Sequence, residues 1–235
     1  ISQISLIYFL TPVKTRFREN LKQLNIASIQ IKEGIENSYV DLDLNLSSEA
    51  KREYKKVISS FKNLINSNFI WDITSATDVD MVRERSSASQ TYDRKLTSLS
   101  LKELPGIKSS FEAFCFNNQN GADIFIYPGF IVMYNSEKNF GIVELKDVEI
   151  LFNESNFIES EQRPNDSEVI KYVWEKTNKN GSRDKRFADN RQLPVMRYGE
   201  ITFIKKAGIF EKFLFSNYKY SNQFVNYLNY FVDSI

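Results

Sequence analysis

Two groups of residues in this sequence have the types and spacing that chemistry needs. The first is Asp123 with Glu144-Leu145-Lys146. Two converging carboxylates can hold Mg²⁺, and a lysine beside them can position or activate the attacking water. The alternation Ile142, Glu144, Lys146 puts the glutamate and the lysine on one side of a strand. Against convergence, Ile124 and Ile126 claim the buried face of the strand that Asp123 opens. Asp123 is then left exposed at a strand end without a second ligand. The second group is Trp174 to Val195, WEKTNKNGSRDKRFADNRQLPV. Between 171 and 191 stand seven Lys and Arg against Glu175, Asp184 and Asp189, a local charge of +4. A solvated loop whose arginines clamp carboxylates of their own domain is the simpler reading. The sharper one makes Trp174, Arg183, Lys185, Arg186 and Arg191 a site for an anionic partner, since arginine suits bidentate phosphate or carboxylate contacts. Asn178, Gly181, Asn190 and Pro194 also fix backbone geometry. Asp184, with Arg186 or Arg191, is therefore expected in local hydrogen bonds that order residues 175–193.

Composition removes other chemistries. The 235 residues contain no histidine, so Ser-His-Asp and Cys-His machinery and imidazole metal sites are absent. The one cysteine, Cys115, lies in FEAFCFN, the setting of a buried, inert thiol; intrachain disulfides are excluded. Asp41 and Asp43 share one side of a strand, as metal ligands would, but no Asp- and Gly-rich loop accompanies them. No cofactor is implied. Net charge is +1, so affinity for nucleic acid or lipid has to be local. No apolar run reaches membrane-span length, and Ile1-Leu10 carries Ser and Gln. A reducing, cytoplasmic setting is expected. Because the chain opens on Ile1, residues are expected upstream.

The elements that position these groups can be read from period and punctuation. Thr11-Pro12 opens a helix over about 12–24, and Ile29, Ile31 and Ile35 mark a strand. Val40, Leu42, Leu44 and Leu46 alternate with polar residues, as a half-buried strand does. Ser47 or Ser48 caps a helix whose face is Tyr54, Val57, Ile58, Phe61, Leu64 and Ile65. Phe69–Ile73 reads as a buried strand; 75–100 reads as helix or loop. Four short strands, 123–127, 130–134, 140–145 and 148–152, form an antiparallel meander around Pro128-Gly129, Asn135–Lys138 and Lys146-Asp147. Glu168–Trp174 is a further strand. Residues 200–205 and 211–215 form a hairpin. The chain closes on an amphipathic helix, 218–233, with Tyr220, Phe224, Tyr227, Leu228 and Phe231 on one face. The fold class is α+β: an antiparallel meander or partly open barrel closed by a C-terminal helix, with a mixed helix-strand N-terminal part. The expected division is 1–118 and 119–235, with 155–195 as an insertion.

The stretches IFIYPGFIVMYNSEKNFGIVELKDVEILF, YGEITFIKKAGIFEKFLFSN and YKYSNQFVNYLNYF resemble pleckstrin-homology-like domains of the bacterial and GRAM type. IVELKDVEILF looks like the place where such domains turn between two sheets. Residues 174–200 are similar to a run in uncharacterised bacterial proteins, which supplies no function. Lipid-headgroup binding is not carried over, because Asp123 and Glu137 occupy the first hairpin. These readings converge on a non-catalytic binding or regulatory module of a larger bacterial protein, whose partner is another protein or domain, or an anionic ligand. The alternative is a Mg-dependent nuclease of restriction-endonuclease type through Asp123, Glu144 and Lys146. The tight turns here replace the crossover helices of that fold. A second alternative is single-stranded nucleic-acid binding, with Trp174, Tyr172 and Phe187 stacking on bases; the near-neutral charge opposes it.

Overall fold

The computed structural model describes residues 19–30, 32, 34, 40–42, 44–78, 90–206 and 208–235. The chain forms two units, residues 1–43 with 105–110, and residues 44–104 with 111–235. In the first, residues 19–30 are helical (α1), and β1 (Val40–Leu42) pairs in parallel with β5 (Ile107–Ser109). The expected helix is thus described from 19 onward and runs on to 30, so Ile29 is helical rather than in a strand. Neither Gly nor Pro interrupts 19–30, and helix propagation costs little once nucleated. Residues 12–18, Ile31, Ile35 and Asp43 lie outside the described residues. The strand expected over 40–46 stops at Leu42, and residues 44–47 carry no regular structure.

The second unit is α+β, and its two antiparallel sheets are not closed into a barrel. Its helix α2 (Ser48–Ile65) begins at Ser47, whose Oγ accepts the Ala50 amide at 3.1 Å. One sheet has the order β4 (Leu99–Lys102), β6 (Ala113–Phe116), β7 (Asp123–Tyr127), β8 (Phe130–Ser136), β9 (Asn139–Glu144). The other runs β10 (Glu149–Ile158), β12 (Gln192–Lys205), β13 (Ile209–Phe215), β2 (Ile70–Asp78), β3 (Gln90–Leu96), with β11 (Glu168–Trp174) also on β12. The helix α3 (Tyr218–Ser234) starts at Asn217, whose Oδ1 accepts the Tyr220 amide at 3.0 Å.

The meander stops one strand early. A 3₁₀ turn at Leu145–Asp147 carries the chain out of the first sheet, and β10 pairs with β12, not β9. Within 75–100, expected as helix or loop, residues 75–78 continue β2, 90–96 form β3, and 99–100 open β4. The apolar alternation of β3 is hidden because a charged residue, Arg94, takes a buried position. The β6–β7 and β13–β2 ladders cross residue 118, so strands from both sides of that expected boundary share sheets. Residues 155–158 continue β10 and 168–174 form β11, so part of the expected insertion belongs to the sheet.

The main core lies where α2 and α3 meet both sheets. Phe61 of α2 packs on Phe114 and Phe116 of β6 and on Phe224 of α3; Phe116 also touches Phe203 and Phe213. The C-terminal helix buries Ser221, Phe224, Val225, Leu228 and Phe231. Tyr220 and Tyr227 are only half-buried, because the buried stripe runs through Val225 rather than through the tyrosines. At Gly199 of β12, α3 approaches so closely that a Cβ would collide with the Ser221 hydroxyl. A smaller apolar cluster, Trp71, Met196, Tyr198 and Leu214, fills another part of the six-stranded sheet.

Candidate binding surface at β11 and the 175–191 loop

Between β11 and β12 the chain makes a compact loop held by its own polar side chains. The ladder continues past Trp174, with the Glu175 amide donating to the Arg191 carbonyl at 3.0 Å. Asn190, buried, then acts as a surrogate backbone. Its Oδ1 accepts the Lys176 amide at 3.0 Å, and its Nδ2 donates to the carbonyls of Lys176 and Asp184 at 2.7 and 3.2 Å. Asp184 is also buried. It takes both Arg186 Nε and Nη2, at 2.9 and 2.7 Å, and the Arg186 amide at 3.0 Å. These bonds hold the Arg186 guanidinium above its ordinary pKa. At the tip, the Gly181 amide donates to the Asn178 carbonyl, and Gly181 sits at φ +77°, a conformation only glycine adopts cheaply. Thr177 and Arg183 form an isolated bridge that closes the tip.

The five expected partner residues therefore differ in availability. Arg186 is engaged by Asp184, and Arg191 Nε donates to Glu175 at 3.0 Å. The Arg183 guanidinium lies 5.0 Å from the Trp174 ring centre and donates to the Ala188 carbonyl. Lys185 is exposed and makes no ion pair among the described residues; the same holds for Lys171 and Lys179, and for half-buried Lys176. With the two carboxylate–arginine pairs cancelled, Lys171, Lys176, Lys179, Arg183 and Lys185 stand against Asp189, which leaves the local +4. Two of these lysines, Lys171 and Lys176, line a polar cleft of about 870 Å³ together with Trp174 and residues of β3, β10 and β12. The charge count flags these lysines in sequence; nothing there signals the cleft.

Beside the cleft lies a buried ionic cluster that no sequence pattern signals, because its members stand 65 and 39 residues apart. Arg94 of β3 donates twice to Glu159, at 2.9 and 2.7 Å, and Tyr198 Oη donates to the same carboxylate at 2.7 Å. The guanidinium carbon lies 4.4 Å from the ring centres of both Trp71 and Phe157. Burial opposes the charge on Arg94, and Glu159 with Glu161 overcomes it, so the guanidinium is held above its usual value. Burial and then Glu159 push the Tyr198 phenol far up. Among the described strands β3 and β10 are the two ends of the strand order, so this cluster, with Glu159 directly after β10, links the two edges of an unclosed sheet.

The first chemical group does not converge. Asp123 pairs with Tyr134, while Glu144 pairs with Phe130, which itself faces Tyr127. That register separates the carboxylates by roughly 13 Å along the strands and about 10 Å across them. Asp123 is half-buried rather than exposed, because its Oδ1 accepts the Asn118 amide at 2.8 Å. Lys146 donates to the main-chain oxygen of Ile235. Among the described residues no group of three or more His, Cys, Asp or Glu could hold a metal ion. Cys115 is buried, and burial raises its thiol pKa. No helix among the described residues is long and apolar enough to cross a membrane. No family model matches the chain, and neither the curated proteins nor the solved structures contain a match.

Proposed function

We propose that this chain is a non-catalytic binding module that docks an acidic surface of another protein on β11 and the 175–191 loop. The supporting observation is the division of charge there. The loop's buried polar groups fix its shape, its arginines are largely engaged internally, and Lys171, Lys176, Lys179 and Lys185 make no ion pair among the described residues, the first two lining the cleft with Trp174. A rigid scaffold presenting a charged loop is the usual placing of recognition residues. Local charge complementarity speeds association and selects partners even where net charge is near zero.

The test is a fluorescence anisotropy titration of the whole chain with a labelled polyglutamate peptide and, separately, a labelled single-stranded oligonucleotide. Peptide binding is expected at low salt, weakening as the Debye length falls to about 8 Å near 0.15 M. Reversing all four lysines to glutamate should abolish it while the circular dichroism spectrum stays unchanged. Absence of peptide binding overturns the reading. Binding of the oligonucleotide alone also overturns it, in favour of a nucleic-acid partner.

A further inference from the structure

We propose that β9 is a pairing edge for a second copy of this chain, antiparallel to its own β9 across a two-fold axis at Gly141. Among the described residues β9 ends the five-stranded sheet and has a neighbour, β8, on one side only. Phe140 and Ile142 point to the same face by strand alternation, and they are 54% and 57% exposed. Their β8 partners across the ladder are Tyr134 and Val132, and Val132 is fully buried. The apolar stripe therefore runs from the interior out to an open edge. Natural edge strands are blunted by proline, by a mid-strand charge, or by a cover. Asn139 to Val143 contains neither proline nor charge.

The occupant follows from the sequence of the strand. Lys138, in the turn that leads into β9, and Glu144, the last residue of β9, stand three residues either side of Gly141, carry opposite charges, and make no ion pair among the described residues. Pairing centred on Gly141 sets Phe140 opposite the partner's Ile142 and Asn139 opposite the partner's Val143, and it brings Lys138, at the turn that leads into the strand, next to the partner's Glu144. The two-fold axis makes each of these contacts twice. Directly opposed side chains must lie on one face, so with the axis perpendicular to the sheet neighbouring registers move the centre to Phe140 or to Ile142. The first sets Lys138 against the partner's Ile142. The second sets Phe140 against the partner's Glu144 and Lys138 against the partner's Lys146. Only the Gly141 register joins apolar to apolar and positive to negative, the pairs that stabilise antiparallel sheets. The strand is short, so the contact lies below the usual size of a permanent interface and the dimer is a weak one.

Sedimentation velocity on the whole chain, from micromolar concentrations up to about 1 mM, reads the association directly. The native chain is expected to shift from monomer toward dimer as concentration rises. Ile142→Lys should abolish the shift. Lys138→Glu and Glu144→Lys should each reduce association about tenfold, and the double exchange should restore it. Circular dichroism and thermal melting confirm that every variant is folded. A native chain that stays monomeric throughout, or a dimer indifferent to Ile142→Lys, overturns the proposal. A double exchange no better than either single one overturns the register, and with it the second copy as occupant.

Discussion

Arg94 offers the sharpest test of how this fold is held. Arg94→Met keeps an apolar stem between Trp71 and Phe157 but removes both hydrogen bonds to Glu159. The side chains concerned are 7% and 0% exposed, so solvent cannot replace the lost donors. Among the described residues Glu159 keeps the Tyr198 hydroxyl and the Glu161 amide. Breaking a buried ion pair from one side costs about 3–5 kcal/mol, because the surviving charge is left uncompensated. The two remaining donors offset part of this, so the expected loss is about 3 kcal/mol, a large share of a typical domain stability of about 5–15 kcal/mol. The double variant Arg94→Met, Glu159→Leu removes the stranded charge and should return to within about 1–2 kcal/mol of the native chain. Urea unfolding followed by circular dichroism and tryptophan fluorescence measures all four corners of the cycle. The reasoning is refuted if Arg94→Met alone costs under about 1 kcal/mol, or if the double variant is the sum of the singles.

Three further outcomes follow from the same contacts. Gly199→Ala puts a methyl group into the Ser221 hydroxyl and should lower stability by about 1–3 kcal/mol or more, read from the urea midpoint. Asn190→Ala strands the Lys176 amide and leaves the Lys176 and Asp184 carbonyls one backbone donor each, so trypsin should cut at the loop lysines many times faster than in the native chain, while far-UV circular dichroism changes little. Burial raises the Asp72 carboxyl pKa, opposed by the Gln119 amide and Lys95, so the unfolded chain gives up this proton first as pH rises. The folded state therefore loses stability above the unfolded value of about 4, until the folded pKa is passed. In a pH series of urea melts, the stability of Asp72→Asn relative to the native chain should climb across that window and be flat below it.

Much of the second unit was legible because its elements announce themselves locally. Ser47 and Asn217 cap the helices, Pro128-Gly129 turns the β7–β8 hairpin, a continuous apolar run marks β7, and β-branched and aromatic residues mark β11. Sheet membership was not legible. Pairing β2 with β13 depends on contacts far apart in sequence, on which period and propensity are silent, whereas the exit from one sheet at Leu145–Asp147 falls within IVELKDVEILF, the stretch expected to turn between two sheets. β3 was missed for a different reason. A buried arginine breaks the apolar pattern, and only Glu159 makes that burial tolerable. The loop falls between these cases. Its mixture of Asp, Asn, Arg, Gly and Pro pointed to local bonding, and Asp184 with Arg186 and Arg191 with Glu175 are bonded. Which cations stay available depends on reach and geometry, and sequence does not carry that.

That sorting of cations changes the kind of partner the proposed surface suits. Sequence drew attention to arginines, whose planar fork grips a phosphate or carboxylate in two places. In the folded chain Arg186 and Arg191 are turned onto Asp184 and Glu175, and Arg183 lies over Trp174. The charges without an ion pair among the described residues are ammonium groups, point charges on flexible stems that contribute attraction without a fixed hydrogen-bond geometry. Such groups favour an extended acidic protein surface over one phosphate held in a defined pose. Exchanging the four lysines for arginine should then leave polyglutamate affinity within about threefold of the native value, whereas exchange for glutamate removes it. A gain of tenfold or more in the arginine variant would mean that a bidentate anion, rather than a diffuse acidic face, is what the surface recognises.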